Sequence, residues 1–390
     1  MTWNAIRDHR ALVVSTLGIT QTLAWGSTYY LPAVFADPVS ADLHLSHAWF
    51  FGTFSAALLL SGLLGPLAGR MIDRHGGRDV LAATNLAFAG GLALLSQATG
   101  VVGLAAAWTV IGIGMGFGLY EAAFATVAGL YGRASRNAIT GITLFAGFAS
   151  TVGWPTSALL IDALGWREAC LVWAALHLLV GLPLNRLLVP KAPPPPAPVA
   201  HAQGAAPAAA RSTMVILAAV FGATWFVSTA LAAHLPRLLE ALGASAAAAV
   251  FAGSLVGPAQ VAARLIEFTF LRRASPMISA RLATVLHPIG AALLAAFGPA
   301  AAVPFVLLHG GGNGLLTIAR GTLPLALFGA AGYGLRTGLL AAPARILQGA
   351  APLLFGLILD RSGPLTALLL SSLLTGGSFL ALLALRPGAK

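Results

Sequence analysis

Stretches of membrane-spanning length without a charged residue recur from one end of this chain to the other, and they leave it few folds. A hydrocarbon core about 30 Å thick takes about 20 apolar residues per helix. Only 8% of the 390 residues are charged, against about 25% in a typical soluble protein. The chain therefore reads as an all-α, polytopic integral membrane protein whose solvent is the lipid bilayer. The few ionisable residues stranded inside the apolar runs become the functional clues, because a charge in hydrocarbon is costly unless it lines a polar path.

Charge-free runs and their Gly, Pro and charge punctuation predict twelve helices, at roughly 11–36, 47–70, 79–97, 102–128, 138–161, 168–188, 213–236, 245–268, 281–297, 302–325, 337–358 and 364–385. The runs 80–120 and 282–319 are too long for one helix. Each has a hinge, at Gln97-Ala98-Thr99-Gly100 and at Phe297-Gly298-Pro299. With both termini cytoplasmic, only Arg167, Arg237 and Arg361 of the 22 Lys+Arg fall outside, and Arg345 lies within a span. That asymmetry follows the positive-inside rule and accounts for the net charge of +11. It places the chain in the cell inner membrane in contact with anionic lipid. No soluble basic domain is present, so nucleic acid is not expected as a partner. The first apolar run is too long for a signal-peptide core of about 7–15 residues, so it should be retained. The single cysteine, Cys170, excludes an internal disulfide and any cysteine-based metal site, and reads as a packing residue.

Residues 190–212, with Pro193-Pro194-Pro195-Pro196 and an Ala-rich tail, form the one long connector. They separate an N-terminal six-helix bundle, 1–189, from a C-terminal one, 213–390. The halves match at ordered positions. Trp25, Ser27-Thr28 and Leu31-Pro32 correspond to Trp225, Ser228-Thr229 and Leu235-Pro236. Gly65-Pro66 with Arg70 and Asp73 corresponds to Gly257-Pro258 with Arg264 and Glu267. Pro155, Asp162 and Gly165 correspond to Pro352, Asp360 and Gly363. Duplicated halves point to a transporter whose substrate site lies at the repeat interface.

The stretch Gly65-Pro66-Leu67-Ala68-Gly69-Arg70-Met71-Ile72-Asp73-Arg74-His75-Gly76-Gly77-Arg78 resembles the loop 2–3 signature of the major facilitator superfamily. With the twelve spans and the 6+6 repeat, the resemblance covers the whole chain. It implies two six-helix bundles related by pseudo-twofold symmetry, alternating access, and a monomer. Tyr30-Leu31-Pro32 followed by this signature is similar to the oxalate/formate and monocarboxylate porters. The pattern departs from proton-coupled drug antiporters: Trp108 stands where many of them carry an arginine, and Gly147 to Pro155 only partly matches their Gly-rich motif.

Two cytoplasmic gates follow. Asp73 ends span 2, and Gly76-Gly77 permit a tight turn. Resemblance implies that Asp73 docks on the inner end of span 11 beside Arg336, a carboxylate meeting a helix N-terminus. Gly69, Arg70 and Arg78 belong to the same signature. The repeat gives Glu267, with Arg264, the matching role at the start of span 5, near Arg133 and Arg136.

Within the spans, His309, Asn313, Thr317 and Arg320 fall on one helical stripe, which should face a cavity because lipid would not tolerate it. Glu121 follows Gly112, Gly114, Gly116 and Gly118, which allow close packing or bending. Aligning the glycine runs of spans 4 and 10 sets Glu121 opposite Thr317, one turn from Arg320. Arg345 and Gln348 share a face, Gln21, Trp25 and Tyr29 share another, and Tyr30 and Trp225 add aromatic walls. Duller readings stand beside these: Arg320 and Arg336 snorkelling to the interface, Trp25 and Tyr29 as packing aromatics, His309 bonded to helix backbone, and Glu121 as a structural arginine partner. Two arginines and one acid suggest a small organic anion, a carboxylate held by bidentate arginine. Glu121, desolvated, is the candidate proton carrier. The rival is proton-coupled efflux of drugs or other amphipathic compounds. No phosphate-binding Gly-rich Lys motif, metal cluster or nucleophile–base pair is present, so neither ATP hydrolysis, a cofactor nor an enzyme activity is expected.

Overall fold

The computed structural model describes residues 9–191 and 208–385. Most of the connector 190–212 and the first eight residues lie outside this range. Among the described residues all regular structure is helical. The chain divides into two compact units, residues 1–199 with 328–342 and residues 200–327 with 343–390.

The first unit begins with α1 (Arg10–Ser27) and α2 (Pro32–Asp42), followed by α3 (His47–His75) and α4 (Gly77–Ser96). Then come α5 (Val101–Gly118), α6 (Tyr120–Tyr131), α7 (Arg136–Ala146) and α8 (Ala149–Leu164). It continues with α9 (Trp166–Leu176), a π turn at His177–Gly181, and α10 (Leu182–Leu188). The second unit holds α11 (Ala208–Ala241), α12 (Ala246–Ser254), α13 (Val256–Thr269), α14 (Pro276–Phe297) and α15 (Ala302–Phe328). The last helix, α16 (Tyr333–Ala384), opens in the first unit and continues in the second.

Eight stretches of the described residues are long and apolar enough to cross a membrane. Three of them, Val101–Leu164, Pro276–Phe328 and Tyr333–Ala384, span 64, 53 and 52 residues. At 1.5 Å per residue each would extend about 80–95 Å if straight, more than twice the hydrocarbon thickness. Each is turned: at Gly132–Ser135, at Gly298–Ala301, and at Gly363, whose φ of 82° suits glycine. Leu63, Val102, Leu179, Phe270 and Leu373 point outward, as expected where hydrocarbon rather than water meets the surface. The first unit's core is built on Phe50, Phe88 and Trp108, the second on Phe305, Phe355 and Leu294.

Several spans read from sequence as single helices are interrupted. Span 1 breaks at 28–31. Ser27 and Thr28 direct their hydroxyls back onto the carbonyls of Leu23 and Ala24 at 2.7 and 2.5 Å, and Pro32 supplies no N–H to carry the ladder on. Span 4 breaks at Leu119, whose backbone is extended (φ −85°, ψ −166°). The carbonyl of Gly118 is taken instead by the Gln21 amide at 2.7 Å. Spans 5 and 8 are broken at Gly147-Phe148 and at Leu255.

The glycines before the span 4 break are placed by packing. A Cβ on Gly112 or Gly116 would meet α3 at Ala57 or Ser61, and one on Gly114 or Gly118 would meet α4 at Phe88 or Thr84. Every second residue is stripped because α5 lies in the groove between two neighbours.

Candidate functional site

In the first unit the site is organised by the junction of α3 with the start of α16. The backbone N–H groups of Gly334 and Leu335 donate to Asp73 Oδ1 and Oδ2 at 2.8 and 2.9 Å. These amides are orphan donors of a helix N-terminus, so one carboxylate satisfies two of them and opposes the positive end of the dipole. The approach is close because the crossing is lined with glycine. A Cβ on Gly69 would collide with the carbonyl oxygen of Gly334, and one on Gly338 with that of Gly65.

Arg336 directs its hydrogen bonds to backbone carbonyls. Its guanidinium donates to the carbonyls of Phe328, Gly329 and Ala331 and lies over the Phe328 ring, bracing the turn that enters α16. Gly76 closes α3 with φ 81°, and a Cβ on Gly77 would overlap the Thr126 hydroxyl. Arg70 is exposed. Arg78 and Arg186 both donate to Asp79, at 3.0 and 2.7 Å, tying α4 to α10. Arg136 opens α7, with Arg133 exposed just before it.

Glu121 lies in the first turn of α6, a consequence of the break at Leu119, and not in the body of one long span as the sequence implied. It lines a small cavity with Gly65, Ala68, Gly69, Gly116, Ala122 and Gly334. The acid thus shares its walls with the Asp73 junction. Trp25 is buried against Tyr29, Tyr30 and Tyr120 with ring centroids 5.1, 6.2 and 4.8 Å away. Trp154 stands edge-on to Tyr30 and donates to its carbonyl.

In the second unit Trp225 is the centre. The guanidinium carbons of Arg320 and Arg345 lie 4.3 and 4.2 Å from its ring centroid. Gln348 accepts from Arg345 at 3.2 Å. The buried indole N–H of Trp225 has no hydrogen-bond partner. Arg264 adds a third cation. Only 5% exposed, it donates to Gln260 and to Thr317 at 3.3 and 3.4 Å, while its Nε and Nη1 groups are buried and unpartnered. Thr317 is one turn from Arg320 on α15, with Asn313 one turn further back, half-buried like Thr317.

The repeat has therefore diverged. Arg70 is exposed while its counterpart Arg264 is buried, and Glu267 is buried, accepting from Ser279 at 2.6 Å. His309 leaves the α15 stripe's other members and pairs with His287 of α14, their Nδ1 atoms 3.0 Å apart. Sequence reasoning missed Gln260, Tyr120, His287 and Ser371. His287 was visible as a lone ionisable group in an apolar run, but its partner across two helices was not. Among the described residues no group of three His, Cys, Asp or Glu could hold a metal.

A family model described as Major Facilitator Superfamily matches residues 17–342. No curated protein sequence matches the chain. The human organic anion transporter MFSD10 (TETRAN) is similar in structure, with a TM-score of 0.75 at 17% identity over 96% of this chain and 99% of that one. A variant of the E. coli fucose:proton symporter FucP gives a TM-score of 0.72 at 16% identity over 96% and 97%. FucP in its outward conformation gives 0.72 at 14% identity over 95% and 97%. At such identities these likenesses speak for the fold alone. The family model spans most of the chain, and on that match this protein belongs to the Major Facilitator Superfamily of multi-pass membrane transporters.

Proposed function

We propose that this transporter moves a small organic anion, a carboxylate, by proton-coupled alternating access. It would do so as a monomer of twelve spans in two six-helix bundles, in the cell inner membrane with both termini cytoplasmic. The single turn in each of the three long apolar stretches, with α1 and α2 added to the eight segments, supports a count of twelve.

The observation that carries the anion reading is the donor set around Trp225 and Thr317. Trp225 holds a buried N–H with nothing to bond beneath the guanidinia of Arg320 and Arg345, and Arg264, bonded to Thr317 one turn from Arg320, holds others. Buried donors without acceptors each cost about 1–3 kcal/mol. A carboxylate entering there would supply the acceptors, and arginine's planar fork suits its two oxygens. His309, Asn313, Tyr29 and Tyr30 complete the proposed substrate-contacting set with Trp25, Glu121 and Gln348.

Glu121 is the proposed proton carrier. Its place beside Gly69 and Gly334 supports a direct route from its charge state to the Asp73 junction. Asp73, Gly69, Arg70, Gly76, Gly77, Arg78 and Arg336 form one cytoplasmic gate in this proposal, and Glu267, Arg264 and Arg136 the other.

Counterflow of labelled mono- and dicarboxylates in proteoliposomes tests the reading. Exchange that collapses in Arg345→Gln supports it. The aromatic cluster of Trp25, Tyr29, Tyr30 and Tyr120 favours the second reading, efflux of amphipathic compounds. Resistance of a sensitive host to unrelated drugs, without carboxylate exchange, would establish that reading instead.

A further inference from the structure

Outside the donor set, the second unit buries a second polar device at mid-helix. His287 of α14 is 3% exposed and His309 of α15 is 6% exposed. Their Nδ1 atoms stand 3.0 Å apart, and His287 Nε2 is 3.0 Å from the Ser371 hydroxyl on α16. The Phe305 ring walls both imidazoles, 5.6 and 6.1 Å away.

The tautomers follow once the Ser371 proton is given to the Leu368 carbonyl. Ser371 donates its one proton to the Leu368 carbonyl at 2.8 Å. Its oxygen is therefore an acceptor, and His287 carries its hydrogen on Nε2. His287 Nδ1 is then a lone pair, so the hydrogen between the rings belongs to His309 Nδ1. This leaves His309 Nε2 as the basic atom of the pair.

We propose that His287 and His309 form a single-proton binding site, distinct from Glu121, that takes one proton at His309 Nε2 and no second. The proton arrives from and returns to hydronium, and no other bond is made or broken. In the charged form His309 Nδ1–H donates to His287, whose Nε2–H donates to Ser371 and onward to Leu368. The cation is thus spread along a chain of charge-assisted hydrogen bonds. A second proton would need a hydrogen on both Nδ1 atoms, set N–H against N–H at 3.0 Å. Two rings therefore make one site, and their titration belongs to the pair.

The surrounding charges have other partners. Arg281 of α14 donates to the Leu382 and Leu385 carbonyls, and Glu267 of α13 accepts from Ser279. Arg264 of α13 bonds Gln260 and Thr317, Arg320 of α15 stacks on Trp225, and His234 of α11 bonds the Pro352 carbonyl. Arg237 and Asp360 pair with one another. Among the described residues no carboxylate contacts either ring. From His309 the stripe runs through Asn313 and Thr317 to Arg320, about 16 Å along α15, so the protonated pair would act on the substrate-contacting turns through one helix. The site does not depend on the anion reading.

Protons taken up by purified full-length protein in detergent, acidified from about pH 8 to about pH 4, count the site. Relative to the unaltered chain, the double variant His287→Gln/His309→Gln should take up one proton fewer. A loss of two in the double variant means independent histidines, and no loss means that the pair never ionises; either overturns the proposal. Should the variant not fold, nitrogen-15 histidine spectra of the unaltered protein decide. One ring should show the Nε2–H tautomer and one the Nδ1–H tautomer, changing together over one pH interval. Separate transitions, or none, refute the shared site.

Discussion

A guanidinium at 5% exposure with two unbonded N–H groups is an expensive thing to fold around. Arg264 has only weak contacts with Gln260 and Thr317 to offset its desolvation, and an unpartnered buried charge costs several kcal/mol. Arg264→Met should therefore leave the melting temperature unchanged or raise it by a few degrees, while carboxylate counterflow falls. A loss of one charged hydrogen bond, about 1.5–3 kcal/mol, corresponds to roughly 10- to 150-fold in apparent affinity. Thermal shift and counterflow on the same preparation check both halves of that statement. A lower melting temperature with intact transport would assign Arg264 to structure. Asp73 poses the opposite case, a charge well used. Asp73→Asn keeps one acceptor but loses the charge facing the helix dipole and one of two amide bonds, about 1–2 kcal/mol. The Gly334 and Leu335 amides should then exchange hydrogen with solvent several-fold faster, as mass spectrometry would read. Both residues were conspicuous as intramembrane or loop charges in the sequence. Their settings were not legible, because the repeat equates Arg70 with Arg264 while packing exposes one and buries the other.

Among the elements, α3 and the start of α16 meet so closely that a methyl group decides the outcome. Gly65 and Gly69 lie one turn apart on the same face, yet a Cβ on Gly65 would sit at ordinary contact, 3.5 Å from Gly338 oxygen, whereas one on Gly69 would collide with Gly334. Gly65→Ala should be tolerated, and helix propensity favours it by up to about 1 kcal/mol. Gly69→Ala should push α16 away and abolish the Asp73 bonds. Exchange of the Gly334 amide in the two variants distinguishes them, and equal behaviour would remove the close crossing from the account. Helix existence was readable throughout from apolar run length. The interruptions at 28–31, at Leu119, at Gly147-Phe148 and at Leu255 were not. The first two depend on side chains capturing backbone carbonyls, as Thr28 does with Ala24 and Gln21 with Gly118. Periodicity carries no trace of such bonds. The alternate glycines of α5 did announce close packing, although not which neighbour each one faced.

For the whole molecule the question is how proton and substrate are linked. Glu121 lines one cavity with Gly69 and Gly334, so its charge bears on the same few residues that dock α16. Glu121→Gln should abolish uptake driven by a pH gradient while substrate exchange at equal pH persists, slowed only by the one lost substrate contact. Proteoliposome assays with and without the gradient separate the two. Retained gradient-driven uptake would move the coupling elsewhere, with the histidine pair next in order. Fold class, the family and the multi-pass membrane setting were all legible, because a scarcity of charge and a duplicated signature survive any detail of packing. Which side chains meet was legible only where spacing along one helix settled it, as for Arg345 and Gln348. The convergence of Arg264, Arg320 and Arg345 on α11 and α15 needed the tertiary structure.

The glycine crossing also has a genetic consequence. Every missense change from a glycine codon adds at least one carbon, so positions 69, 334 and 338 have no gentle mutational neighbour, whereas position 65 does. A saturation library selected for transport should return silent codons alone at those three sites, and alanine freely at the fourth.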